Sequence, residues 1–145
     1  MTPRRARGER GQTSLLIIGL AVVVVMLVVV VVDASAAYLR RQSLSSLADG
    51  AALAAADGIE GEQAYTGGLG ERALIDATVA EALVADYLAD SGAGRSHPGL
   101  TYRVRAETDR VVVDLATPLD LPLTLPGVGD AVVTARAAAV VLVAP

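Results

Sequence analysis

Between Leu15 and Val32 the chain carries no charged residue, and fifteen of these eighteen positions are leucine, isoleucine or valine. At about 1.5 Å of rise per residue the run makes a helix of roughly 27 Å, close to the hydrocarbon thickness of a bilayer. Nine of the eighteen are valine, a β-branched residue that loses rotamer freedom in a helix in water. In lipid the balance reverses, because every backbone N–H and C=O must be satisfied within the segment. Insertion of so many aliphatic side chains is favourable by something on the order of 4 kcal/mol even at weak per-residue values. The pattern predicts a transmembrane helix over 15–32. A core helix of a soluble domain needs only one apolar stripe, and this segment is apolar on every face.

Past Val32 the pattern acquires a period. Leu44, Leu47, Ala48, Ala51 and Ala55 recur at three- and four-residue intervals, while Arg41, Ser45, Ser46 and Asp49 fall mostly on other faces. The stretch 33–57 contains no proline, so the helix is expected to continue out of the bilayer with a narrow, alanine-dominated packing stripe. Residues 58–70, "GIEGEQAYTGGLG", hold five glycines without a period and predict a loop. A second helix is expected from near Glu71, with Leu74, Ile75, Thr78, Val79, Ala82 and Leu83 as its stripe, stopped by Ser91–Gly99. The period then becomes two. Leu100, Tyr102, Val104 and Ala106 alternate with Thr101, Arg103, Arg105 and Glu107, and "TDR" turns the chain into a strand over 111–117, a hairpin. Prolines 118, 122 and 126 bar the next stretch from the middle of a sheet and leave an extended edge exposing Leu119, Leu121, Leu123 and Leu125, a candidate docking edge. A last strand is expected within 131–144. The whole reads as α+β: a basic head (1–14), a transmembrane helix (15–32), its helical extension (33–57), a Gly-rich loop (58–70) and a small α+β domain (71–145) with an antiparallel sheet of three or four strands.

Charge orients this layout. Met1–Ser14 carry four Arg against one Glu, +3, whereas Asp33–Pro145 carry eight Arg against fifteen acidic residues, −7. The positive side stays in the cytoplasm, and a long acidic domain crosses largely regardless of its charge. The expected location is therefore the cell membrane, single-pass, with a cytoplasmic N-terminus and an extracytoplasmic C-terminal domain. Tyr38 is placed for the membrane–water interface and Arg40 and Arg41 for headgroups, so Leu15, Val32, Asp33, Tyr38, Arg40 and Arg41 form the expected anchor and interface. A competing reading remains open: "ASA" at Ala34–Ala36 is an A-x-A site after a basic head and an apolar run, and cleavage there would release a secreted binding domain. A usual signal h-region has only about 7 to 15 residues, fewer than this run. The acidic main domain argues against nucleic acid, and the absence of cysteine excludes a disulfide framework or thiolate metal site.

The register Asp33, Tyr38, Leu44, Asp49, Ala51, Ala52 and Leu53, after an "ERGQ" head and an apolar helix, resembles the N-terminal region of the TadE-like and TadG-like proteins of Flp (tight adherence) pilus assembly. In that family an Asp follows the span, a Tyr comes five residues on, and an "AADAAALA"-type segment follows; here it reads "SLADGAALAAA". The resemblance covers about residues 8–57. It implies a pilin-like fold and a bitopic, pseudopilin-like, non-enzymatic envelope protein, whose partners are other membrane proteins or pseudopilins of a pilus or secretion assembly. TadE-type members resemble prepilin-peptidase substrates, with Gly at the cut and Glu five residues later; after Gly11 that place holds Leu16. A buried glutamate is expensive unless it meets a partner such as a neighbouring free amino terminus, and Leu16 cannot make that pair. The uncut TadG-like form is the closer analogy, in an accessory or minor role.

Chemical motifs are sparse. His97 in "RSHPG" is the only histidine and reads as an ordinary loop residue without the partners of a metal site or triad. Asp114 and Asp120 sit in apolar alternation and read as solvated strand positions. "GGLG" and "PGVG" are turn chemistry rather than nucleotide loops. No catalytic, cofactor or metal residue is expected, nor a small-molecule substrate. The expected working surfaces are the lipid-facing span and the packing positions Leu44, Ala48, Asp49, Ala51, Ala52, Leu53 and Ala55, whose small residues permit close approach of a neighbouring helix or the domain's own sheet.

Overall fold

In a computed structural model the backbone is described for residues 9–66, 76–119 and 131–141, with side chains of the first helix described from Thr13 to Gly61. Helix α1 runs without a break from Glu9 to Thr66, 58 residues, which at the standard rise is about 87 Å. It is followed by α2 (Ala77–Asp90), the single turn α3 (Ala93–Ser96), and strands β1 (Thr101–Ala106), β2 (Arg110–Pro118) and β3 (Val132–Val140). The fold is α+β. The strands form an antiparallel meander in the order β1-β2-β3. Here the period-two alternation and the "TDR" turn translate directly into the β1–β2 hairpin.

The outer part of α1 and all of α2 lie on one face of this sheet. Val111, Val113, Leu115 and Thr117 of β2 are buried against the helices, with Ala135 and Ala137 of β3 beside them. Leu44, Ala48, Ala51, Ala52, Ala55, Ala56 and Ile59 of α1 supply the opposite wall, and Ala80, Val84 and Leu88 of α2 complete it. Alanine faces alanine where α1 approaches β3, so helix and sheet come close, while the valines and leucines of β2 fill the volume between. Burying one such valine or leucine contributes roughly 1.5–3 kcal/mol.

Two expectations are corrected. The loop expected from Gly58 does not begin there, because α1 continues to Thr66. Packing overrides the helix penalty of glycine, about 1 kcal/mol per residue: Ile59 is buried in the core, and a Cβ on Gly58 would stand 2.8 Å from both Leu83 methyls. Glycine at 58 is what lets α2 approach. The second helix starts later than Glu71. Asp76 is its N-cap, in extended conformation, with the carboxylate accepting from the Thr78 N–H at 2.7 Å. Leu74 and Ile75 of the expected stripe lie outside the described residues. The buried face is turned from Thr78 and Ala82, both exposed, to Ala80, Val84 and Leu88.

Helix α2 runs antiparallel to α1, since Tyr87 meets Gly50 and Leu83 meets Gly58. The expected stop after Asp90 is made by Ser91 and Gly92, whose N–H groups return to Tyr87 and Ala89 carbonyls, with Gly92 left-handed at φ 67°. Within that stop the chain makes the extra turn α3. Gly99, at φ 73°, then swings the chain into β1 close under Pro118.

Candidate functional site

The first surface is the N-terminal half of α1. Every side chain from Thr13 to Met26 is exposed, and the apolar window of the helix has no part buried within the chain. Among the described residues this is the one helix long and apolar enough to cross a membrane. Leu15 and Val32 at the ends of the apolar run are both exposed. Asp33 is half-buried with its Oδ1 shielded from solvent and without a hydrogen-bond partner. Tyr38 is 67% exposed, about 9 Å beyond Val32 along the axis, with Arg40 half-buried and Arg41 exposed.

The second surface is the packed extension. Of the expected packing positions, Leu44, Ala48, Ala51, Ala52 and Ala55 are buried inside the chain's own domain. Asp49 and Leu53 do not join them: Asp49 is exposed and Leu53 is 57% exposed. The helical angle explains the split, because 49, 53 and 57 form a separate i, i+4, i+8 stripe turned away from the core.

His97, read from sequence as an ordinary loop residue, is 4% exposed. It follows α3 and places Nε2 3.3 Å from Ser43 Oγ on α1, while Nδ1 is buried without a partner. Burial, with the nearby Arg40 charge second, lowers its pKa below the ordinary histidine value. One residue on, the Pro98 carbonyl accepts from Thr117 Oγ1 at 3.2 Å. The His97–Gly99 loop thus clasps the root of the extension to the end of β2.

The third surface was legible only in part. On the solvent face of the sheet, Arg103, Asp114 and Arg136 stand side by side across the three strands. Arg105 Nη2 donates to Asp114 Oδ2 at 2.7 Å, and Arg136 Nε donates to Oδ1. The Arg136 hydrogen bond holds the Asp114 carboxyl below its usual range, with the charges of Arg136, Arg105 and Arg103 adding to it. Period-two alternation had placed Arg103 and Arg105 together; their meeting with Arg136 required the strand order. Asp120, Leu121, Leu123 and Leu125 lie outside the described residues, and Leu119 is half-buried where its N–H donates to the Ala131 carbonyl at 2.7 Å. Among the described residues no group of three or more His, Cys, Asp or Glu side chains could hold a metal ion.

An exposed apolar helix that runs without a break into a small-residue packing stripe has a counterpart among known families. Residues 11–58 match the putative Flp pilus-assembly TadE/G-like family. The TadE/G-like match takes in the apolar run and the packed extension, and it ends at Gly58, where α2 crosses α1. Helix α2 and the sheet lie beyond it. No curated protein and no solved structure matches the chain. A TadE/G-like pilus-assembly region with a long apolar helix fits a pilus component, a class that is generally non-enzymatic.

Proposed function

We propose that the chain is a non-enzymatic, bitopic membrane protein that serves as an accessory or minor pseudopilin-like component of a Flp/Tad-type pilus or secretion assembly. The carrying observation is α1 itself: one helix whose 15–32 segment carries only apolar residues with none of its apolar window buried within the chain, and whose later part is the spine of a folded domain. The span anchors, and the extension holds the α+β domain at a fixed height above the bilayer. The partners in this reading are the lipid bilayer and other membrane proteins of the assembly, contacted by the domain's exposed surfaces rather than by the alanines, which its own core already uses.

The uncut form is supported by the helix passing through Ala34–Ala36 without interruption, with Ser35 Oγ donating to the Val31 carbonyl at 2.7 Å. The test is the intact mass and fractionation of the native protein from its own membranes. A full-length species resistant to carbonate extraction is expected. A soluble species beginning at Ala37 would replace this reading with a secreted binding domain, and a membrane species beginning at Gln12 would make the protein a processed pseudopilin.

A further inference from the structure

We propose that the solvent face of the sheet docks onto the helical face of a second copy of this chain, sheet of one copy to α1 of the next. The two faces carry opposite charge although the chain beyond the apolar run is acidic as a whole. On the sheet, three guanidinium groups (Arg103, Arg105, Arg136) surround one carboxylate, Asp114, leaving a surplus of two positive charges. Beside them, on β3, Ala138 is exposed. On the opposite side, α1 presents exposed Asp49, Leu53 and Asp57 as one stripe, an apolar side chain with a carboxylate one turn to either side. Asp86 and Asp90 of α2 extend the negative field, and from Leu44 to Asp90 the described residues include no arginine.

Leu53 is otherwise an anomaly, a leucine 57% exposed where the other described helical leucines between Leu44 and Asp90 are buried or half-buried. An apolar centre with a charged rim is the usual anatomy of a protein interface. Because the two patches lie on opposite layers, the contact is heterologous and repeats from copy to copy. Copies anchored by parallel α1 helices can make it by rotation about the membrane normal. Only that shared orientation rests on the anchored reading proposed above.

The test uses the full-length chain in nonionic detergent, with self-association followed by sedimentation. The wild type is expected to associate at low salt and to weaken on the order of tenfold as ionic strength rises from about 0.05 M to about 0.5 M. Arg103→Glu, and separately Asp49→Arg with Asp57→Arg, are each expected to weaken it on the order of tenfold. Mixing these two variants restores association, because the unaltered sheet face of the Asp49/Asp57 variant then meets the unaltered α1 stripe of the Arg103 variant. Arg103→Gln, with an intermediate loss, and an unshifted melting temperature for every variant show that the fold is not the cause. A mixture no tighter than its components, a wild type monomeric at low salt, or association indifferent to both reversals overturns the proposal. Retention of a different acidic protein by the arginine face of a monomeric chain also overturns it. None of these outcomes alters the fractionation result, so the two readings fail separately.

Discussion

His97 is the single imidazole of the chain, and its neighbours decide how the fold responds to acid. The ring is shut in against Ser43 with Arg40 nearby on α1, and burial followed by that positive charge lowers its pKa in the folded state. The unfolded chain binds the proton at the ordinary value near 6.5, the folded chain only at lower pH. Folding stability is therefore full above that value and declines as pH falls from it towards the depressed folded pKa, below which the loss levels off. Melting of the full chain between about pH 7.5 and about pH 5 should show this slope, and His97→Gln should flatten it. Persistence of the slope in the variant would assign it to another group. Asp114, Asp76 and Asp109, all lowered by hydrogen bonds, act in a separate window below 3.8, where stability falls as they are protonated. A second residue-scale contact is steric: a Cβ on Gly50 would stand 2.1 Å from Tyr87 Oη. Gly50→Val is expected to destabilise by about 1–3 kcal/mol. In combination with Tyr87→Ala the losses should be less than additive, as a double-mutant cycle measures.

At the scale of elements, α1 is two helices in one, and single substitutions distinguish its faces. Ala51 is fully buried between α1 and the sheet, so Ala51→Leu is expected to overpack the core and lower stability by about 1–3 kcal/mol. Leu53→Ala, on the exposed stripe, should leave the melting of the domain within about 0.5 kcal/mol. Equal effects would contradict the burial seen here. The periodicity of Leu44, Ala48, Ala51 and Ala55 was legible because a helix that packs on a sheet repeats at three and four residues. Asp49 and Leu53 share the family register with them but not the angular position, and register alone does not say which way a side chain points. Glycine misled in the opposite sense. At 58 and 61 it suggested a loop, but local propensity amounts to about 1 kcal/mol per residue and is outweighed by the approach of Leu83 and the burial of Ile59. His97 could not be placed, since its burial depends on α2 running back along α1 to bring "RSHPG" to Ser43, a long-range contact that no local pattern encodes.

For the whole molecule, one decision governs the rest: which side of the membrane the α+β domain occupies. Four arginines precede the span against one glutamate, and basic residues near a span resist translocation while long acidic domains do not. In the orientation we propose the domain lies outside, with the His97–Gly99 clasp towards the bilayer and the Glu107–Asp109 turn away from it, because β1 and α1 would both run outward. The absence of cysteine gives this a clean test, since any thiol signal comes only from an introduced position. Ser45→Cys, exposed on α1, should react with an impermeant maleimide added to cells whose inner membrane is intact, and Thr2→Cys only after that membrane is opened. The reverse pattern would put the domain in the cytoplasm, beyond reach of an external filament. Anchoring itself is tested by Val24→Arg with Val28→Arg. Each charge at the helix centre costs about 2.5–3.5 kcal/mol, so together they cancel the insertion energy of the aliphatic run. Loss of the doubly substituted chain from the carbonate-resistant fraction is the expected result, and continued retention would mean that something other than this helix holds the protein to the membrane.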